Sequence, residues 1–442
     1  MEKTPLEGWI MRKAGINAPE RAQLENYQLG RLRETVRYAK AESRFYAGHL
    51  QNVTAEELCS LADLRRIPFT FPQQISADPD AFLCVPQSRV RRIVTLRSSG
   101  TSGAEKRIFF TQEDLDLTTD FFEYGMKCLT DRTDRVMVLL PGNSFGSIGN
   151  LLDTALSHAG TACFAHGVVT DVRETARQII NSGATCLVGI PIQVLQLCRT
   201  QPEAFRNVKK ALLSTDYVPE VLINELENRF GCKAYTHYGM TEMGYGGGVE
   251  CAARSGCHMR EADFCFEIVD PESGEPVEDG RNGEVVFTTL TRQAMPLIRY
   301  RTGDIASFSP RPCACGTFLK TLGRVQGRAA NRIRIGEGRF LPLRELDEAV
   351  FEFREALDFK AYREGDRLRL EIVTEGEEAF RRIKKRVAGR IEELLRGADG
   401  ETAQLRVELL RRERFEPLAN SMRKRTVCRG EDHGDSEHPP GL

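Results

Sequence analysis

The segment LRSSGTSGAEKRIFF, residues 96–110, carries residue types that bind phosphate. Gly100 and Gly103 lack a Cβ atom, so backbone N–H groups beside them can approach phosphate oxygens closely. Lys106 adds a positive charge, and hydroxyl donors are supplied by Ser98, Ser99, Thr101 and Ser102. The spacing is not that of a Walker A loop. For the segment alone, a phosphate-binding loop and a polar turn both stay open, because serine- and glycine-rich turns are common.

A second candidate site combines cysteines and a histidine in the segments CAARSGCH (251–258) and CAC (313–315). Thiolates with one imidazole form tetrahedral structural Zn²⁺ sites. We predict the ligand set Cys251, His258, Cys313 and Cys315. Cys257 is the alternative to Cys251, but next to His258 in a strand it would point away from the same ion. A metal-free interpretation stays open, because the other nine of the 13 cysteines are scattered.

Helices and strands alternate along the part of the chain that must position these residues. The first 50 residues repeat apolar positions at helical spacing, and between residues 135 and 242 three strand–helix units follow one another. This order predicts βαβ units in a largely parallel sheet. From about residue 260 the sequence becomes rich in strands, and it ends in a hairpin, an amphipathic helix and a further strand.

The expected fold class is therefore α/β with two domains. A large N-terminal domain (1–327) would combine parallel-sheet βαβ layers with a β-rich subdomain. A small α+β C-terminal domain (328–428) would follow, and the polar tail (429–442) is predicted to be disordered.

Composition narrows the class of protein. A length of 442 residues is too great for one compact core, and a net charge of −1 gives no overall field that attracts nucleic acid or an anionic membrane. No apolar run approaches the roughly 20 residues that span a bilayer. The first residues resemble neither a signal nor a transit peptide. We expect a cytoplasmic protein with reduced cysteines.

Three further motifs follow the glycine-containing segment in order: YGMTE (238–242), RYRTGD (299–304) and GRAANRIRI (327–335). Together the four motifs resemble those of the adenylate-forming superfamily, which comprises acyl-CoA synthetases, luciferases and adenylation domains. ESRFYAGHL (42–50), the strand-rich stretch 267–306 and CACG (313–316) are similar to the phenylacetate–CoA ligase-like branch. The resemblance covers residues 1 to about 425. It implies that the small C-terminal domain is mobile.

The resemblance also implies a role for each motif residue. The glycine loop would hold the β- and γ-phosphates of ATP through Ser99, Gly100, Thr101, Ser102, Gly103 and Lys106. Other residues would contact the nucleotide: Tyr238 and Gly239 at adenine, Asp216 in a short loop beside it, Thr241 at the α-phosphate, Asp304 at the ribose hydroxyls and Arg328 at ribose or phosphate. Glu242 would hold Mg²⁺, a hard ion that prefers oxygen ligands.

Two regions depart from the family pattern. The hinge motif usually reads Gly-Arg-x-Asp-Asp, but residues 327–331 read Gly-Arg-Ala-Ala-Asn, so both carboxylates are missing at Ala330 and Asn331. The C-terminal catalytic lysine normally follows a glycine, and PLANSMRKRTVCRG (417–430) has no such pair. Lys424 or Arg423 could neutralise phosphate there, although a guanidinium is not equivalent to an ammonium, and the register could even align Ser421.

The acid pocket is less clear in the sequence. By analogy, Phe145 in GNSFGSIGN and the residues Tyr245, Gly246 and Gly247 would form its walls. Glycines in place of bulk suggest space for a ring or a branched acid, and an aromatic or arylacetic acid is the expectation by analogy.

The function favoured by the resemblance is ATP-dependent acid–CoA ligation with Mg²⁺, coenzyme A and a structural Zn²⁺. An adenylating ligase with another acceptor, a carrier-protein thiol or an amine, is the first alternative. A nucleotide-binding relative with impaired catalysis is the second, and the intact glycine loop, Glu242 and Asp304 argue against it. Since the branch is often dimeric, a homodimer is a candidate assembly.

Overall fold

The structure is a computed structural model that describes residues 4–97, 105–329, 331–336, 339–396, 405–414 and 427–429. Within these ranges the chain forms two compact units. The described residues up to Ala329 belong to the first unit, and those from Asn331 onward belong to the second.

The helices of the first unit are α1 (Pro5–Ala14), α2 (Arg21–Glu42), α3 (Arg44–His49), α4 (Pro72–Ala77), α5 (Gln112–Met126), α6 (Ile148–Ala159), α7 (Val172–Ser182), α8 (Pro191–Thr200) and α9 (Glu220–Asn224). The N-terminus of helix α5 illustrates how a capping side chain determines where a helix begins. The Thr111 hydroxyl accepts a hydrogen bond from the Asp114 N–H (3.1 Å), and the Asp114 carboxylate accepts one from the Thr111 N–H (3.0 Å). This capping box satisfies two N–H groups at the start of the helix.

The main sheet has eight strands: β3 (Arg135–Leu139), β4 (Ala162–Ala165), β5 (Cys186–Gly189), β6 (Lys210–Leu213), β7 (Lys233–Tyr238), β8 (Gly248–Glu250), β9 (Cys257–Met259) and β13 (Thr321–Leu322). Their order across the sheet is β13-β9-β8-β7-β6-β5-β3-β4. Strands β3 to β7 are parallel, and β8, β9 and β13 extend the sheet in antiparallel fashion beyond β7. The predicted α/β class with βαβ layers is confirmed.

Two smaller antiparallel sheets complete the first unit. One is the hairpin of β1 (Arg92–Arg97) and β2 (Glu105–Phe110), and the other joins β10 (Phe264–Val269), β11 (Gly283–Thr289) and β12 (Tyr300–Ala306). On β12 every second residue is buried, so Tyr300 and Asp304 share one face of that strand.

The second unit is α+β. It contains β14 (Arg332–Arg334), β15 (Phe340–Pro342), α10 (Leu343–Phe351), β16 (Asp358–Glu364), β17 (Arg367–Val373), α11 (Glu377–Leu395), β18 (Arg406–Arg412) and β19 (Cys428–Arg429). Strands β18, β17, β16 and β19 form one sheet in that order. The residues of the predicted disordered tail beyond 429 lie outside the described ranges.

The segment Gly327–Ala329 belongs to the first unit because it pairs with β12. The Ile305 N–H donates to the Gly327 carbonyl (2.8 Å), and the Ala329 N–H donates to the Gly303 carbonyl (2.8 Å). The division between the units therefore follows Ala329, two residues after the boundary expected from the sequence. No helix in the described ranges is both long enough and apolar enough to cross a membrane.

Candidate active site

Lys106, Glu242 and Tyr300 meet in the first unit, although they come from three separate elements. Lys106 lies on β2, Glu242 lies in the short 3₁₀ turn Thr241–Met243 after β7, and Tyr300 begins β12. The Lys106 ammonium donates to Glu242 Oε1 and to the Tyr300 hydroxyl, the latter at 3.1 Å. The Tyr300 hydroxyl donates to the same Glu242 oxygen at 3.0 Å. The cluster is an ion pair bridged by a phenol.

This ion pair is buried, with side-chain exposures of 15% for Lys106 and 3% for Glu242. Burial opposes ionisation of the carboxyl, but the charge and hydrogen bond of Lys106 outweigh it and hold the pKa of Glu242 below its ordinary value. Burial and the neighbouring Glu242 carboxylate raise the pKa of Tyr300 well above 10. At neutral pH Glu242 is therefore a carboxylate and Tyr300 a neutral phenol.

A second cluster joins Tyr238, Asp304 and Arg328. Asp304 is fully buried on β12, and it accepts a hydrogen bond from the Tyr238 hydroxyl (3.3 Å) and one from Arg328 Nε (3.2 Å). Burial and then Asp304 raise the pKa of Tyr238 well above 10. Burial disfavours the Arg328 cation, but Asp304 and Glu242 raise its pKa. Arg328 interacts electrostatically with the carboxylates of both Asp304 and Glu242. The two clusters therefore form one site.

Arg292 supports the turn that carries Glu242. Its guanidinium donates to the backbone carbonyls of Glu242 and Phe109, each at 3.3 Å, and lies 4.2 Å from the centre of the Phe110 ring. The turn needs glycine at 239, because a Cβ atom there would lie 2.1 Å from the Tyr245 carbonyl oxygen. These contacts fix the position of the Glu242 carboxylate relative to β2.

The structure describes only some of the predicted nucleotide-binding residues. Lys106, Tyr238, Glu242, Asp304 and Arg328 make the contacts given above, and Thr241 is buried in the same turn as Glu242. Asp216 is half-buried, and its carboxylate accepts a hydrogen bond from the Tyr217 N–H (2.9 Å). The other glycine-loop residues (Ser99–Gly103) and the C-terminal candidates Ser421, Arg423 and Lys424 lie outside the described ranges.

Two of the four residues expected to form the acid pocket, Gly246 and Gly247, lie in close packing and not beside open space. The Phe145 side chain is 53% exposed. Tyr245 is buried and stacks on Phe110, with ring centres 5.8 Å apart. A Cβ atom would lie 2.4 Å from the Phe121 ring at Gly246 and 2.7 Å from the Met243 sulfur at Gly247. These two glycines permit close packing, so the space expected beside them is already filled.

The four predicted zinc ligands converge. The ligand atoms of Cys251, His258, Cys313 and Cys315 lie within 4.8 Å of one another. The sulfurs of Cys251 and Cys313 are 3.8 Å apart, and the Cys315 sulfur is 3.4 Å from His258 Nε2. Zn–S bonds of about 2.3 Å in a tetrahedron imply sulfur separations of about 3.8 Å. The donor set and its spacing fit Zn²⁺.

His258 is oriented for such a role. Its Nδ1 lies 3.2 Å from the Thr321 hydroxyl, a contact that would fix the ring with Nε2 towards the cysteines. Burial lowers the pKa of His258 to about 4, so the imidazole is in the neutral form that binds metal. Cys257 lies on the other face of β9, where its sulfur is 3.7 Å from the Thr236 hydroxyl.

Comparison with known proteins accounts for this arrangement. A model of the AMP-binding enzyme family matches residues 73–291. The phenylacetate-coenzyme A ligase of Thermus thermophilus is 29% identical over 343 residues, which cover 74% of this chain and 75% of that protein. The Escherichia coli protein of the same name is 26% identical over 348 residues, 75% of this chain and 77% of the relative. The chain is therefore similar to the adenylate-forming superfamily, and within it to the phenylacetate–CoA ligase-like branch.

Solved structures agree with this family at the level of the fold. A 2-hydroxyisobutyryl-CoA ligase in complex with 2-HIB-AMP, in the postadenylation state, has a TM-score of 0.77 and 19% sequence identity. The match covers 93% of this chain and 90% of that one. A benzoate CoA ligase from Burkholderia xenovorans has a TM-score of 0.52 at 13% identity, over 72% of this chain and 65% of that one.

Sequence reasoning about the superfamily motifs missed two site residues. Tyr300 stands inside RYRTGD, but only Asp304 was assigned a role, although the two-residue alternation of a strand places both on one face. Arg292 precedes that motif in a segment without periodicity, and no signal in the sequence connects it with Glu242. Its role depends on tertiary contacts.

Proposed function

We propose that the protein is an ATP-dependent acid–CoA ligase. In the first step a carboxylate oxygen of the acid attacks the α-phosphorus of ATP, the bond to pyrophosphate breaks, and acyl-AMP forms. In the second step the CoA thiol attacks the acyl carbon and AMP leaves with the electron pair. An aromatic or arylacetic acid is the proposed substrate, which the phenylacetate-coenzyme A ligase relatives support.

The Lys106–Glu242 pair is the observation that carries the proposal. The uncatalysed reaction is slow because the triphosphate repels an anionic nucleophile, so neutralising charge and positioning the reactants should supply most of the rate. Lys106 places a cation at the end of the segment that we assign to the β- and γ-phosphates. We assign adenine stacking to Tyr238 and the ribose hydroxyls to Asp304, the buried carboxylate that accepts hydrogen bonds from Tyr238 and Arg328.

Glu242 fits a role as a ligand of Mg²⁺. A single protein carboxylate completed by phosphate oxygens is the usual environment of this ion. Both hydrogen bonds to the Glu242 carboxylate that are described above use Oε1. When bound, the ion would neutralise phosphate charge, and Lys106 and Tyr300 would keep the carboxylate ionised and oriented.

The cluster of Cys251, His258, Cys313 and Cys315 is proposed as a structural Zn²⁺ site. Four protein ligands fill a tetrahedral ion and leave no open position for a substrate. The site would tie β9 and the segment before β13 to the end of β8. This role is separate from the adenylation chemistry.

The C-terminal region is proposed to supply the remaining cation. We assign this role to Lys424 or Arg423 in the segment PLANSMRKRTVCRG (417–430). The small domain that begins after Ala329 is proposed to move between the two steps. Alanine at 330 tolerates the backbone rotation required of a hinge, although the carboxylate contacts of the usual motif are missing. We place the enzyme in the cytoplasm, with a homodimer as the candidate assembly.

An ATP–pyrophosphate exchange assay over aromatic, arylacetic and short aliphatic acids tests the proposal. Exchange that depends on one class of acid, followed by formation of its CoA thioester, is the expected result. Exchange without a thioester would indicate another acceptor, such as a carrier-protein thiol or an amine. Nucleotide binding without exchange for any acid would contradict the ligase function.

A further inference from the structure

An apolar cavity in the first unit contains one polar pair that the proposed chemistry does not use. The cavity lies between helices α5 and α6 and one face of the parallel sheet. Its apolar lining includes Phe121, Phe122, Ile148, Leu152, Val188 and Leu212. The polar side chains in its wall are Ser214 and His237. In open parallel sheets ligands bind at the carboxyl ends of the strands, where this pair lies.

Ser214 and His237 are neighbours on that face of the sheet. Leu213 on β6 pairs with Thr236 on β7, so the next residues of the two strands are adjacent. The Ser214 hydroxyl lies 2.9 Å from His237 Nδ1. Because successive side chains of a strand alternate, His237 faces the cavity while Tyr238 lies on the opposite face, towards Asp304. The cavity and the cluster of Tyr238 and Asp304 therefore adjoin β7 from opposite faces.

The second ring nitrogen of His237 lacks a partner. Nε2 is shielded from solvent and makes no hydrogen bond to any described residue. Burial lowers the pKa of His237 to about 4, so the ring is neutral at physiological pH. A buried polar atom without a partner is costly, and an apolar ligand beside it would not remove that cost.

We propose that the acid substrate carries a hydroxyl group on its aromatic ring, and that His237 Nε2 binds this hydroxyl. The inference rests on the proposed ligase function and narrows its substrate class. A neutral imidazole offers one donor and one acceptor, and Ser214 uses one of them. A hydroxyl can serve as donor or acceptor, so it fits whichever tautomer Ser214 selects. A second carboxylate group on the acid could only accept a hydrogen bond, and an unsubstituted ring could neither donate nor accept one.

Pairs of aromatic acids that differ only by one ring hydroxyl test the inference. Adenylation is measured by ATP–pyrophosphate exchange with benzoate and its three hydroxybenzoate isomers, and with phenylacetate and its hydroxyphenylacetate isomers. The wild-type protein should use at least one hydroxylated acid with a kcat/KM about tenfold or more above that of its parent. In His237→Phe this preference should disappear while the parent acid is still used. Ser214→Ala should reduce it, and the control His166→Phe, outside the cavity, should leave it unchanged.

Two results would overturn the inference. One is a wild-type kcat/KM that is at least as high for the parent as for every hydroxylated isomer, and the other is an equal loss for both acids in His237→Phe. Thermal denaturation checks that each variant folds, and if His237→Phe does not, His237→Gln and Ser214→Ala provide the comparison. If no acid supports exchange, the ligase proposal fails. Calorimetric binding of the same pairs then decides the inference: a preference lost in His237→Phe supports it, and equal binding rejects it.

Discussion

The side chains of Lys106 and Glu242, 136 residues apart in the sequence, form a buried ion pair that Tyr300 bridges. An uncompensated charge in such a position is strongly unfavourable, and the Lys106 cation stabilises the ionised Glu242 carboxylate. The pair thus places the Lys106 ammonium on β2 and the Glu242 carboxylate after β7. The proposed ligands of the site are the anionic nucleotide ATP and the cation Mg²⁺.

Replacing either partner should remove most of the adenylation activity. We expect Lys106→Ala and Glu242→Gln each to lower the rate of ATP–pyrophosphate exchange by about 10²–10³, since each removes a charge that acts on the reacting phosphates. Lys127→Ala is the matched control, because Lys127 pairs with Glu123 at the C-terminal end of helix α5. Exchange rates that stay at the wild-type level in both site variants would refute the assignment.

The same pair predicts a pH dependence of stability. The carboxyl of Glu242 has an ordinary pKa of 4.5 when unfolded and a lower pKa in the folded protein. Its contribution is therefore fully present above pH 4.5 and is lost as the pH falls through the lowered folded value. Urea unfolding of the wild-type protein and Glu242→Gln should give a difference in free energy that is constant above that pH and decreases below it. A difference independent of pH would contradict this.

Asp304 should determine nucleotide affinity more than the rate of chemistry. Asp304→Asn removes the ionised acceptor shared by Tyr238 and Arg328, so we expect the KM for ATP to rise about tenfold or more with a smaller change in kcat. Tyr238→Phe keeps the ring but loses the hydroxyl, and it should raise this KM less. Tyr27→Phe, whose hydroxyl binds the Ala262 carbonyl, is the control. An unchanged KM for ATP in Asp304→Asn would contradict the proposed contact between Asp304 and the ribose hydroxyls.

Local patterns predicted much of this fold, and ordered motifs predicted part of the site. Alternating helices and strands identified the parallel sheet, because each βαβ unit is a local feature of the sequence. The glycines after Glu242 were misjudged, since a glycine can leave space or permit close packing. At Gly246 the deciding neighbour is Phe121, more than a hundred residues earlier. Contacts of this kind depend on tertiary packing.

The cysteine–histidine cluster should bind one zinc ion per chain. Metal analysis of the purified protein should give about one equivalent, and Cys313→Ser and His258→Ala should reduce it and lower the thermal midpoint, because binding of a structural ion contributes to folding. Cys257→Ser is a matched control, since Cys257 is adjacent to His258 but contacts Thr236 instead. Chelation should destabilise the wild-type protein and leave Cys313→Ser little changed. Less than about 0.2 equivalents in the wild-type protein would contradict the site.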